Sequence, residues 1–261
     1  MKKLSGFSKI YLYVILIIMY LPILVVILYS FNENRINSVW SGFSLKWYIE
    51  LIKDKDLMIA LKNSLILASV SSLSAGVIGT SAALGLNKLN FKGKELLVYL
   101  SFIPIMTPEI IMGILFLAYF SLLKAPLGVG TLVIAHTSFC IPYVFSQVRS
   151  RLVGLNPSYA EAAKDLGASE LRVFFDIILP AIMPGLFSGI LLSFVMSMDD
   201  VVISIFVNGS KFNTLPVKIY TQLKTSVSPK INALCTIMFF ATIIIVGISL
   251  MLRNKDSEYN T

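Results

Sequence analysis

The sequence predicts an all-α polytopic membrane protein with six transmembrane helices and both termini inside. Three observations predict it. Apolar runs of about 20 residues recur along the chain, the length a helix needs to cross a bilayer. Only 14% of residues are charged and 56% are hydrophobic, against about 25% charged in a soluble domain. The lysines and arginines sit in short connectors between the apolar runs, as the positive-inside rule requires. The net charge of +8 therefore marks membrane topology and not a nucleic-acid-binding face. Only helices or closed barrels satisfy backbone polar groups in lipid, and runs this long mean helices. Residues 1–261 read as a single transmembrane domain.

The first span covers about 10–30 and follows Lys2, Lys3 and Lys9. It is longer than the apolar core of a signal peptide, and Asn32-Glu33-Asn34-Arg35 follows it where a small-x-small cleavage site would stand. It reads as an uncleaved helix. The next connector, 31–61, carries Trp40, Trp47 and Tyr48, residues that favour the membrane interface. Interfacial anchoring and docking of an external partner both fit them. Ser44 is placed to cap a short helix ending in the Lys53–Asp56 charge cluster.

The second span, about 62–86, carries Ser64, Ala68, Ser71, Ala75, Gly79 and Ala82 on one face, small residues that allow close helix packing. The third, about 95–123, is interrupted by Pro104 and Pro108. The fourth, about 128–148, holds the only histidine, His136, and Cys140. One histidine builds no metal site, so hydrogen bonding within the bundle is expected of it. Cys140 and Cys235 lie inside apolar spans as buried thiols. The fifth span is about 176–207 and the sixth about 231–252. Between them, 217–226 is a candidate short helix. With the N-terminus inside, twelve of the 22 basic residues fall inside, and the dense clusters at 2–9 and 88–94 decide the orientation.

The inside loop at about 149–175 is long and reads as folded. Ser158 and Glu161 have capping-box spacing. A helix over Glu161, Ala162, Ala163, Lys164, Asp165 and Leu166 would end at Gly167 in a left-handed turn. Ser169 caps a second short helix through Phe175. Leu166, Ala168, Leu171 and Phe174 would then be exposed apolar surface. Such surface on a folded loop fits docking of another protein or packing back on the bundle.

The series Glu161-Ala162-Ala163, Gly167, Ile177, Leu179, Pro180 resembles the EAA loop of the ABC importer permeases that work with substrate-binding proteins. The resemblance covers almost the whole chain. It implies the type I importer permease fold, with Glu161, Ala162, Ala163, Asp165, Leu166, Gly167 and Ala168 in coupling helices that dock on an ATPase subunit. Within that family, Ser44–Tyr48, His136–Pro142, Ala162–Glu170, Ser197–Val202 and Leu215–Tyr220 are similar to spermidine/putrescine permeases. The resemblance implies a bacterial inner-membrane location. It also implies three partners: a second, different permease chain, an ATPase homodimer and an extracytoplasmic polyamine-binding protein. ATP and Mg²⁺ belong to the ATPase, and this chain has no cofactor. It also lacks the G-x-x-x-x-G-K-[ST] loop that cradles nucleotide phosphates, and is not expected to be an enzyme.

Three acids fall within spans: Glu109, Asp199 and Asp200. A carboxylate at depth costs about 2.5–3.5 kcal/mol or more and needs a basic partner, water or a ligand. No lysine or arginine lies inside the core spans. Glu109 stands roughly 21 Å along a helix from Glu95, in the outer half. Gly185, Gly189, Ser193 and Ser197 form a stripe on the fifth span, and Asp200 falls within about 60° of its start. The stripe is expected to line a path shared by two permeases, with Asp200 the better placed of the two aspartates. The prolines before Glu109 free backbone carbonyls beside it. Carboxylates with carbonyls suit an amine cation, and Phe116, Tyr119 and Phe120 are candidate aromatic walls. A permease for another substrate, such as ferric iron, phosphonate or sulfate, is a weaker alternative; an anion permease would not keep three acids near its path, which argues against the last two. A secondary transporter is weaker again, because no inverted repeat is visible.

Overall fold

The computed structural model describes residues 6–35, 39–209, 212–224 and 228–258. Lys2, Lys3 and positions 225–226 of the expected short helix lie outside them, as do the side chains of Arg253 and Lys255. The described residues are almost entirely helical. The chain divides into two compact units, residues 1–58 with 219–261, and residues 59–218.

The first unit begins with α1, Gly6–Ser30, apolar on all sides, as a lipid-facing helix should be. The chain then turns back on itself. The Asn32 side chain organises the turn: Nδ2 donates to Val39 O at 2.7 Å and Oδ1 accepts Ser41 N–H at 3.0 Å. Helix α2, Lys46–Lys53, buries Trp47 and Leu51. Trp47 Nε1 donates to Asn32 O at 2.6 Å, so this tryptophan is a core residue of the turn and not an interfacial anchor. Ser44 is not the cap, which is Leu45; it stands one residue outside and its Oγ accepts Lys46 N–H.

Helix α3, Lys55–Lys88, carries the chain into the second unit. Ser64, Ala68, Ser71, Ala75 and Gly79 of its small-residue face are buried and Ala82 is half-buried, and the site of a Cβ on Gly79 lies 3.0 Å from Ile141 O. The third span is two helices, α4 at Lys94–Met106 and α5 at Glu109–Leu122, bent by 106°. Pro108 supplies no N–H and holds the preceding residue extended, so Thr107 leaves the helix. Helix α6, Val129–Val153, is the central element of this unit, with Leu132, Ala135, His136, Cys140, Val144 and Val148 wholly buried.

Helix α7, Ser158–Asp165, is followed by α8, Glu170–Val173. The second of these is not the separate short helix through Phe175 that the sequence suggests. A π turn at Phe174–Ile178 joins it to α9, Leu179–Asp199. Pro180 cannot donate to residue 176 and its ring crowds that carbonyl; a wider turn accommodates it. The fifth span is also not continuous to 207. It stops at Asp199, Asp200 and Val201 break the helix, and α10 runs over Val202–Val207. Helix α11, Leu215–Leu223, starts two residues earlier than expected, and α12 covers Pro229–Glu258.

Among the described residues four helices are long and apolar enough to span a bilayer, and the bent pair supplies a fifth. Residues Pro229–Ile244 add a shorter apolar segment.

Candidate functional site

Both regions singled out by the sequence lie in the second unit. The first is the helical hairpin at 154–178. Its start is not the Ser158–Glu161 capping box. Asn156 Oδ1 accepts both Ser158 N–H at 3.0 Å and Ser158 Oγ–H at 2.7 Å, with Pro157 pre-setting the first turn. The Asn-Pro pair was the readable signal. The helix does end at Gly167, whose φ is +84°. Gly167 N–H donates to Lys164 O at 2.8 Å and Ala168 N–H to Ala163 O at 3.0 Å, the paired bonds of a left-handed helix stop. Ser169 Oγ then accepts Arg172 N–H at 3.3 Å.

The hairpin leaves Leu166 90% and Leu171 71% exposed. Ala168 and Phe174 are half-buried, and Phe175 is exposed. Ala163, Leu166, Gly167, Ala168, Arg172 and Asp176 border a shallow groove. Glu161, Ala162 and Asp165 sit exposed on α7. Glu170 ties the hairpin down: its carboxylate takes Lys164 Nζ at 2.5 Å and Lys88 Nζ at 3.1 Å. These pairs are exposed and water-screened, so they orient the hairpin more than they stabilise it.

The second region is a cavity at the helix breaks. Pro104, Thr107, Glu109, Phe139, Tyr143 and Asp200 line it, with Met112 and Met196. The bend between α4 and α5 brings Glu109 to its edge, and the break after α9 brings Asp200. Among the described residues, no hydrogen bond or ion pair engages the Glu109 carboxylate. Asp200 is differently placed. It is buried, its oxygens accept Ile203 N–H at 3.1 Å and Ser204 N–H at 2.8 Å, and Oδ2 lies 3.4 Å from His136 Nε2. It caps α10. Asp199 is exposed and does not line the cavity.

The basic partner of Asp200 is neither a lysine nor an arginine but the lone histidine, one helix away. The aromatic walls are also different ones. Phe120 is buried in the core and Tyr119 is 55% exposed. Phe139 and Tyr143, one turn apart on α6, face the cavity instead. The small-residue stripe of α9 does not face a shared path. It packs on α6: a Cβ on Gly189 would lie 2.8 Å from Val144 Cα, and Ser193 Oγ donates to Cys140 O at 3.2 Å.

Residues 75–254 match the family described as "Binding-protein-dependent transport system inner membrane component". The chain is 41% identical over 243 residues to the spermidine/putrescine transport system permease protein PotC of Escherichia coli (strain K12), covering 93% of this chain and 92% of that one. It is 40% identical to the putrescine transport system permease protein PotI of the same organism over 230 residues, 85% of this chain and 82% of that one. A bacterial ABC transporter that imports the acidic polysaccharide alginate shares the fold, with TM-score 0.69 at 14% identity over 97% of this chain and 99% of that one. An amino acid ABC transporter does so with TM-score 0.56 at 19% identity, over 80% and 97%.

Proposed function

The chain belongs to the binding-protein-dependent inner-membrane transport components, the permease subunits of ABC importers, and from that premise we propose that it forms part of the path by which polyamines enter the cell. The observation that carries the substrate class is the cavity itself. The Glu109 carboxylate, without a partner among the described residues, lines it together with aromatic and thioether side chains. Spermidine and putrescine are ammonium groups strung on methylenes. The carboxylate and the rings suit the ammonium, and the rings and methionines suit the methylenes. Similarity to PotC and PotI over most of the chain supports the same class.

The hairpin at 154–178 is the proposed dock for an ATPase subunit, with Leu166 entering an apolar pocket and Glu161, Ala162, Ala163 and Asp165 flanking it. ATP and Mg²⁺ bind there, on the partner. Closure of an ATPase dimer would move the hairpin, and α9, continuous with it through the π turn, would carry the movement to the break at Asp200. A second, different permease chain and an external polyamine-binding protein complete the assembly, with both termini of this chain in the cytoplasm and residues 1–261 acting as one domain. Asp199, exposed beside the break, is proposed to raise the negative potential at the cavity mouth.

The test is uptake by proteoliposomes holding the complete complex. Labelled spermidine and putrescine should both accumulate with ATP, whereas labelled sulfate should not. Accumulation of an anion, or of neither polyamine, would overturn the substrate reading.

A further inference from the structure

Polar groups from two helices and the break between them converge on one imidazole of α6. His136 is completely buried. Its Nδ1 lies 2.7 Å from Ser197 Oγ on α9. Its Nε2 lies 3.1 Å from Ser204 Oγ on α10 and 3.4 Å from Asp200 Oδ2 at the break. Nε2 hydrogen-bonds Ser204 Oγ and stands at ion-pair distance from the Asp200 carboxylate, which can only accept; an N–H at Nε2 suits both oxygens, and in the neutral ring Nδ1 then accepts from the Ser197 hydroxyl. Both ring nitrogens and both carboxylate oxygens are thereby occupied.

The bonds that hold Asp200 also hold α10, and α10 is fitted tightly to α5. Gly113 admits Phe206 so closely that a Cβ there would lie 2.5 Å from the ring. Glu109 begins that same α5, one turn away. A displacement of the break is thus passed through Phe206 to the helix that carries the free carboxylate.

We propose that His136 is a positioning residue for the cavity: it keeps Asp200 turned onto α10 and so sets where Glu109 stands, leaving Glu109 as the carboxylate that meets the cation. This deepens the transport reading and rests on it. Bulk is not what His136 supplies. Its role depends on an N–H donor on the Asp200 side, which glutamine can provide and leucine cannot.

The experiment compares His136→Leu and His136→Gln in the complete complex, with uptake of labelled putrescine normalised to assembled complex. His136→Leu should raise the apparent KM about tenfold, and His136→Gln should recover most of that rise. Leucine performing as well as glutamine would overturn the proposal, because a space-filling role favours leucine. Should His136→Leu fail to assemble, Ser197→Ala, which removes the Nδ1 partner alone, should raise KM about threefold; an unchanged KM would equally overturn it. A second arm needs no substrate. Glu109→Cys, with Cys140 and Cys235 replaced, is labelled by a cationic methanethiosulfonate. The rate should change about fivefold or more with His136→Leu or Ser197→Ala and return towards the original with His136→Gln. Equal rates throughout would count against the proposal even where polyamine uptake itself failed, so the two readings fall separately.

Discussion

At the scale of single residues, the two cavity carboxylates have opposite circumstances, and their amide variants should separate. Glu109→Gln keeps shape and removes a charge that nothing in the described structure neutralises. Folding has little to lose, and the cation has its counter-charge to lose. Uptake per assembled complex should fall at least about tenfold, the order of one lost charge interaction worth about 1.4 kcal/mol, with the thermal midpoint of the purified complex unchanged. Asp200→Asn disturbs a group that already accepts two backbone N–H bonds and faces His136. The amide turns an N–H₂ towards a donor whichever way it sits. A buried unsatisfied donor costs about 1–3 kcal/mol, so this variant should lower the thermal midpoint as well as uptake. Equal stability losses in the two variants would contradict the assignment. This division was not legible in the sequence, where both residues are acids in apolar runs. What separates them is the hydrogen-bond inventory around each, and the three residues that supply it to Asp200, His136, Ile203 and Ser204, come from two different helices.

At the scale of elements, the helix stop at Gly167 was legible and the helix start at Asn156 was misplaced, for related reasons. A left-handed stop is paid locally, by one residue that tolerates positive φ. A start has several competing side chains within three positions, and Asn156, Pro157 and Ser158 all qualify. The breaks inside spans were harder. Hydropathy continues through Asp200 because apolar residues flank it on both sides, yet the carboxylate caps a new helix there. Gly167 offers a clean test of the hairpin. No atom lies within 4 Å of an added Cβ, so a substitution meets conformational strain alone, roughly 1–2 kcal/mol for an ordinary L-residue in this region. Gly167→Val should weaken co-purification of the ATPase subunit markedly, and Gly167→Asn, which tolerates left-handed backbone, should weaken it less. Equal retention by both would show that the turn geometry is not what the partner reads. In the first unit, Lys230 Nζ sits 2.7 Å from Asp54 Oδ2. Burial pushes the Asp54 carboxyl up, but the Lys230 ion pair and the Leu57 amide outweigh it and hold the group below its ordinary value of 3.8. A depressed carboxylate contributes stability above the unfolded value and loses it as pH falls through the folded one. The stability gap between the parent and Lys230→Met, about 1 kcal/mol for a partly buried pair, should therefore be full at pH 7 and close below about pH 3.8. A gap that widened in acid would have the wrong sign.

At the scale of the whole molecule, membrane class and helical architecture were legible because lipid imposes them residue by residue: each span must be apolar and long, and each connector carries charge. The use of the spans was not, because packing pairs residues that are far apart in sequence. The α9 stripe illustrates it. Small residues every fourth position announce a close approach but not the partner, and the partner is α6 of the same chain. Accumulating a cation against its concentration requires work, and the chain carries no nucleotide-binding loop. Its second unit holds a cavity and an exposed apolar hairpin joined by one helical path, α8 through the π turn to α9, a form suited to receiving motion from outside. Reconstituted alone, the chain should not accumulate labelled spermidine above the level of empty liposomes. The complete assembly should do so with ATP and not with ADP, and Leu166→Glu, which places a charge on the exposed tip of the hairpin, should reduce ATP-driven uptake by about tenfold or more by costing ATPase docking. Accumulation by the isolated chain, or full ATP-driven uptake with Leu166→Glu, would mean that the work enters elsewhere than through this hairpin.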